Sequence, residues 1–177
     1  MSTEPAWSHP VRLTEVSRAP FRQRLAPDAL VRARIASDLG LDRLDELEAF
    51  ATLTPWLDGA LLEASWSAVI EQTCGITLEP FSSRLAGAFK VRVVPNGSKN
   101  APEELGGEVM VDPLAEDPPD VLEGDSVDLA AYVVEHLALE IDPFPRKPGA
   151  EFTPPDEPSP PSPFEALRNF TPRPKGG

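Results

Sequence analysis

The sequence predicts an α+β fold: an antiparallel sheet of about four to six strands, two main helices and a disordered, proline-rich C-terminal tail. Three observations carry this reading. Apolar and polar residues alternate through residues 47–53, 62–70 and 89–93, the period of a pleated strand with one buried face. Apolar residues recur at helical spacing through residues 29–39 and 127–141. Prolines crowd the end of the chain, where 11 of the 22 stand at or after Pro143. The pattern leaves open whether the sheet closes toward a barrel.

The opening residues are polar and admit a short strand over residues 8–13. Pro27 suits a first helical turn, and Ala29, Leu30, Ala33, Ile35, Ala36 and Leu39 follow on one stripe. Arg32 and Arg34 fall on more exposed sides, and Gly40 suits the position past the helix end. Leu47, Ala49, Ala51 and Leu53 then alternate with Glu48, Phe50 and Thr52. Asp58-Gly59 is a turn signal. Beyond it Leu62, Ala64, Trp66, Ala68 and Ile70 alternate with polar residues, so a hairpin is expected, although Ala and Glu suit a helix here too. Residues 74–80 interrupt the pattern. A further strand follows over residues 85–94, with Phe89, Val91 and Val93 opposite Lys90 and Arg92. The acidic residues 101–120 read as a loop with room for a strand at 108–111. Asp125 or Ser126 is expected to cap the second helix, whose stripe is Val127, Ala130, Val133, Val134, Leu137 and Ile141 and which Pro143 ends. One domain, residues 21–145, is thus expected between a flexible N-terminal segment, 1–20, and a disordered tail, 146–177. Phe164, Leu167 and Phe170 give that tail a short apolar motif at 162–170.

Charge is segregated. Residues 1–35 carry six Arg and three acids, net +3; residues 36–145 carry five basic residues and 22 acids, net −17; residues 146–177 carry five and four, net +1. Residues 101–145 contain no Lys or Arg. Such a body repels phosphate, because nucleic-acid binding needs cations that displace counterions. A basic protein partner fits it better. The single cysteine, Cys74, excludes an intramolecular disulfide and a multi-cysteine zinc site. The N-terminus lacks the basic and apolar regions of a secretory signal, and no apolar run is long enough to cross a membrane. The bacterial cytoplasm is the expected compartment.

No catalytic pattern emerges. Cys74 would need a base to act as a nucleophile, and sequence places neither His9 nor His136 beside it. His136 next to Glu135 has no second ligand at metal spacing. Gly106-Gly107 lacks the frame and lysine of a phosphate loop. No catalytic residue, metal or cofactor is therefore assigned.

Three stretches share an order that no catalytic code explains: QTCGITLEPF at 72–81, GDSVDLAAYVVEHLALEIDPFP at 124–145, and SPFEALRNF at 162–170. Together they resemble the YceD-type large ribosomal RNA accumulation family over roughly residues 60–170. The resemblance rests on Cys74 leading to Pro80-Phe81, on an acidic stretch before Asp128-Leu129 at a helix start, and on Pro163-Phe164 followed by Leu167. Many members carry a second cysteine where this chain has Thr77, which argues against a metal or redox role for the turn here. The resemblance implies a part in accumulation or processing of 23S ribosomal RNA.

Charge then points to an acidic adaptor for a basic large-subunit ribosomal protein or assembly factor. Glu103, Glu104, Glu108, Asp112, Glu116 and Asp117 are its expected contacts. Phe164, Leu167 and Phe170 would dock on a partner or clasp the chain's own domain. Two alternatives compete. One is direct RNA binding by Arg12, Arg18, Arg22, Arg24, Arg32 and Arg34. The other is a metal-dependent RNA-processing enzyme using clustered carboxylates.

Overall fold

A computed structural model describes residues 5–16, 19–102 and 117–152. Three long strands form its spine: β3 (Arg43–Trp56), β4 (Gly59–Thr73) and β5 (Pro80–Pro95). The short β2 (Phe21–Leu25) pairs with the outer side of β3, and β6 (Asp120–Leu122) pairs with the end of β5. The order is β2-β3-β4-β5-β6, antiparallel throughout except for the parallel β5–β6 pair. The sheet is open, so the barrel that the alternation admitted does not form. A second sheet pairs β1 (Pro10–Arg12) with β7 (Ser126–Asp128). The helices are α1 (Leu13–Val16), α2 (Ala29–Asp38) and α3 (Leu129–Glu140).

The alternation in the sequence becomes the two faces of this sheet. Leu47, Ala49, Ala51 and Leu53 of β3 and Leu62, Ala64, Trp66, Ala68 and Ile70 of β4 are all buried. Register keeps them on one side: Leu53 faces Leu62, Ala51 faces Ala64 and Ala49 faces Trp66. The stretch that also suited a helix is therefore strand, because pairing on both sides buries every second residue. Trp66 also faces Gly87 of β5, and a Cβ there would stand 3.0 Å from the indole ring. Small Ala and Gly neighbours make room for this one large side chain. α1, α2 and α3 cover the buried face and add Val16, Ile35, Leu129, Val133 and Leu137 to the core. Complete burial of a residue such as Leu62 or Ile70 contributes roughly 1.5–3 kcal/mol.

Several elements depart from expectation in instructive ways. Pro27 stands before α2, and Asp28 caps it, its Oδ1 accepting from the Val31 amide at 2.9 Å. Leu30, placed on the apolar stripe, is exposed, and Arg32 is half-buried, donating to the Pro27 carbonyl at 2.9 Å. Gly40 adopts φ +66, as a residue closing a helix does. β5 starts five residues earlier than the pattern suggested, because pairing with β4 continues to Thr73↔Pro80. The strand expected at 108–111 lies outside the described residues. The short strand admitted over residues 8–13 is present as β1, and with α1 it buries Val11 and Val16.

The cap of α3 needs correction. Asp125 and Ser126 precede it, and Ser126 belongs to β7; the cap is Asp128. One oxygen, Oδ1, accepts from the amides of Ala130 (3.0 Å), Ala131 (3.2 Å) and His9 (2.8 Å). Oδ2 accepts from Ser8 Oγ at 2.6 Å. A single carboxylate thus satisfies the open end of α3 and fastens a segment about 120 positions earlier in sequence to it.

Asp128→Ala removes both functions. Loss of an N-cap alone costs about 0.5–2 kcal/mol, and the link to Ser8 and His9 adds to it. An unfolding free energy lowered by about 2 kcal/mol or more is expected from denaturant titration, with Asp128→Asn less affected because an amide oxygen still accepts. Gly59→Ala should be worse still, since an added Cβ would lie 1.9 Å from the Val93 carbonyl oxygen. Loss of the folded protein on expression is the readout.

Candidate partner-binding site

Seven exposed carboxylates gather on β6, α3 and the segments beside them: Asp117, Asp120, Glu123, Asp125, Glu135, Glu140 and Asp142. Among the described residues none of them has a cation within ion-pair distance. The sheet's outer face is different. There Arg24 pairs with Glu48, Arg84 with Glu46 at 3.3 Å, Lys90 with Glu63 at 3.5 Å, and Arg43 with Asp45 and Glu71 at 2.6 and 3.0 Å. Register sets Lys90 opposite Glu63 and Arg43 opposite Glu71, whereas Arg24 meets Glu48 on the diagonal and Arg84 reaches Glu46 across β4. Among the described residues the flank's carboxylates are therefore not ion-paired, although Lys90 and Arg92 share a cleft with Asp117 and Asp120, while the outer sheet face is close to neutral.

Asp117 and Asp120 stand at a cleft of about 580 Å³ between β5 and α3, with Lys90, Arg92, Tyr132 and His136 on its walls. The Tyr132 hydroxyl donates to Asp120 Oδ2 at 2.9 Å, which joins α3 to β6. Burial, and then the neighbouring Asp120 carboxylate, push the Tyr132 phenol upward, so it stays protonated. His136 stacks on Phe89 with ring centres 3.7 Å apart, and its Nδ1 lies 2.8 Å from the Tyr132 carbonyl oxygen. It packs α3 onto the sheet. Among the described residues no group of three metal-ligating side chains converges, and no helix is long and apolar enough to cross a membrane.

The Cys74 turn lies at the far end of α3. Cys74 is fully buried, and its Sγ accepts from the amides of Ile76 and Lys147, both at 3.4 Å. Gly75 donates to the Pro145 carbonyl at 2.9 Å, and Lys147 Nζ pairs with Glu79 at 2.9 Å. Gln72 Nε2 reaches the Asp142 carbonyl at 3.1 Å. The chain leaving α3 is therefore clamped to the turn between β4 and β5. A hydrogen bond from the Thr77 side chain, then the Thr77 and Lys147 amides, bring the thiol down to about 6 against the upward push of burial.

Of the expected contacts, Asp117 joins the carboxylate flank. Glu103, Glu104, Glu108, Asp112, Glu116, Pro163, Phe164, Leu167 and Phe170 lie outside the described residues. The arginines proposed for RNA do not share one element. Arg12 is on β1, Arg22 and Arg24 are on β2, and Arg32 and Arg34 are on α2; Arg18 is outside the described residues. Pro80 opens β5 and Phe81 follows it; Asp128 and Leu129 begin α3, with Leu129 in the core. Sequence reasoning did not find the Tyr132–Asp120 link or the Cys74–Lys147 clamp. Proximity of positions 73 residues apart leaves no mark on local pattern.

Fold and surface together define an open-sheet α+β domain with an acidic flank on α3 and β6. Residues 62–170 match the family described as large ribosomal RNA subunit accumulation protein YceD, and the chain belongs to that family. The match starts within β4 and takes in the Cys74 turn, β5, the Asp128 cap, α3 and the 162–170 motif. Membership ties the chain to accumulation of large ribosomal RNA. Neither a curated protein nor a solved structure matches it.

The lowered Cys74 thiol makes stability depend on pH. The unfolded thiol binds its proton over the window between about 6 and the ordinary thiol value, whereas the folded one does not. Stability therefore rises with pH across that window and is lost as pH falls through about 6. Denaturation midpoints of the wild type and Cys74→Ala should converge toward the acid end, and the variant should lack this component. Equal pH dependence in both would contradict the thiolate.

Proposed function

We propose that this chain supports large ribosomal RNA accumulation without catalysis, as an acidic adaptor for a basic large-subunit ribosomal protein or assembly factor. The observation that carries the reading is the row of carboxylates from Asp117 to Asp142, not ion-paired among the described residues. A Lys- and Arg-rich protein is drawn to any phosphate it meets until its charge is masked. A flank of this sign attracts them and at the same time repels phosphate. It sits on α3 and β6, which Asp128, the Tyr132–Asp120 bond and the Phe89–His136 stack hold rigidly. The acidic residues 103–116 extend the same charge in sequence. Contact with 23S ribosomal RNA is then indirect, through the partner, and the cytoplasm is where assembly would use it.

Replacing Glu123, Asp125, Glu135 and Glu140 together by Lys tests the reading without touching the Asp128 cap or the Tyr132–Asp120 bond. Recovery of basic ribosomal proteins or assembly factors on the tagged full chain should fall on the order of tenfold at low salt, and its salt dependence should flatten. Nuclease treatment should leave wild-type recovery intact. Unchanged recovery in the variant, or recovery abolished by nuclease, would contradict it.

A further inference from the structure

A shallow groove of about 270 Å³ opens beside the Cys74 turn, at the opposite end of α3 from its Asp128 cap. Phe81 and Leu85 of β5 form its floor, and Pro145 and Pro148 form one wall. Glu140 and Asp142 stand on the rim, together with Arg146. Phe81 and Leu85 are only half-buried, although they share the inner face of the sheet with fully buried Ile70 and Ala68. Beside the groove the turn holds Leu78 at φ +56 with 77% of its surface exposed, and Phe144 is 78% exposed. Apolar surface of this kind, on an end that the clamp keeps rigid, calls for a cover.

We propose that the Phe164, Leu167 and Phe170 element of the same chain seats in this groove. Three observations favour this occupant over another protein. The first is reach. The groove's wall, Pro145 to Pro148, belongs to the segment that leads into the tail, and eleven residues, 153–163, separate Phe152 from Phe164. They span about 40 Å at full extension. A tethered element meets its site at an effective concentration on the order of millimolar when a short linker bridges the gap, so a weak contact suffices. The second is charge. Arg168, Arg173 and Lys175 stand in and just after the element against one acid, Glu165, and the rim offers Glu140 and Asp142 beside Arg146. The third is the extent of the family match, which ends at residue 170, the last apolar residue of the element. The element thus falls within the same matched stretch as β5 and α3. On this view residues 162–170 complete the domain, and Asp117, Asp120, Glu123, Asp125 and Glu135 remain the surface for the partner.

The test uses the full chain with Ser162→Cys carrying a nitroxide; buried Cys74 stays unlabelled, and the wild type treated identically is the control. In dilute solution the amides of Phe81 and Leu85 should lose most of their intensity. Adding Phe164→Ser and Leu167→Ser should restore it and speed amide exchange at Phe81 and Leu85 several-fold. Absence of broadening overturns the proposal. So does broadening seen only when a labelled chain is mixed with an unlabelled one, which would make a second copy the occupant. If residues 162–170 instead bound a basic partner, the Phe164→Ser/Leu167→Ser chain would lose that partner, and this too overturns it. Capture by the acidic flank is expected to be unaffected, so failure here leaves the adaptor reading standing.

Discussion

The carboxylate of Asp128 is the point on which the arrangement turns. It satisfies the open amides at the start of α3 and, through His9 and Ser8, draws the first strand onto β7. α3 then lies along the inner face of the sheet with Leu129, Val133 and Leu137 buried. Its polar side is left facing solvent with Glu135 and Glu140. The same helix carries Tyr132 to Asp120 and delivers the chain to the Cys74 turn. A single capping residue therefore sets the position of the acidic flank and of the clamped exit.

Charge follows from that geometry. The sheet's outer face pairs cations of β2, β3 and β5 with carboxylates of β3 and β4, and exposed pairs of that kind contribute little to stability. Their effect is to leave the face without a net field. Among the described residues the α3–β6 flank has no such ion pairs, and the acidic residues 103–116 add to its charge in sequence. Surface sign, more than any pocket, separates a protein that attracts basic chains from one that attracts RNA.

Much of the fold was legible because a pleated sheet with one buried face has a period of two. The β3–β4 hairpin could be read from Leu47 to Ile70 and from Asp58-Gly59, and α2 and α3 from their stripes. The Asp128-Leu129 pair was visible as a family feature, but its role as the cap was not. Asp125 and Ser126 are equally good capping residues in isolation, and only the pairing of β7 with β1 extends the strand past them. The early start of β5 was hidden for a similar reason: Pro80 and Ser82 are poor strand formers that β4 holds in register. At the candidate site the charge run was plain in the sequence, whereas the Cys74–Lys147 clamp depends on packing alone.

The most direct test of the account is a hydrogen-exchange footprint of the chain bound to immature large ribosomal subunits or to a basic assembly partner. Added protection confined to β6 and α3, with exchange in β2 to β5 unchanged from the free chain, is the predicted result. Protection centred on Arg22, Arg24 and Lys90 of that outer face, with the acidic flank unchanged, would contradict the adaptor and point to direct contact with RNA.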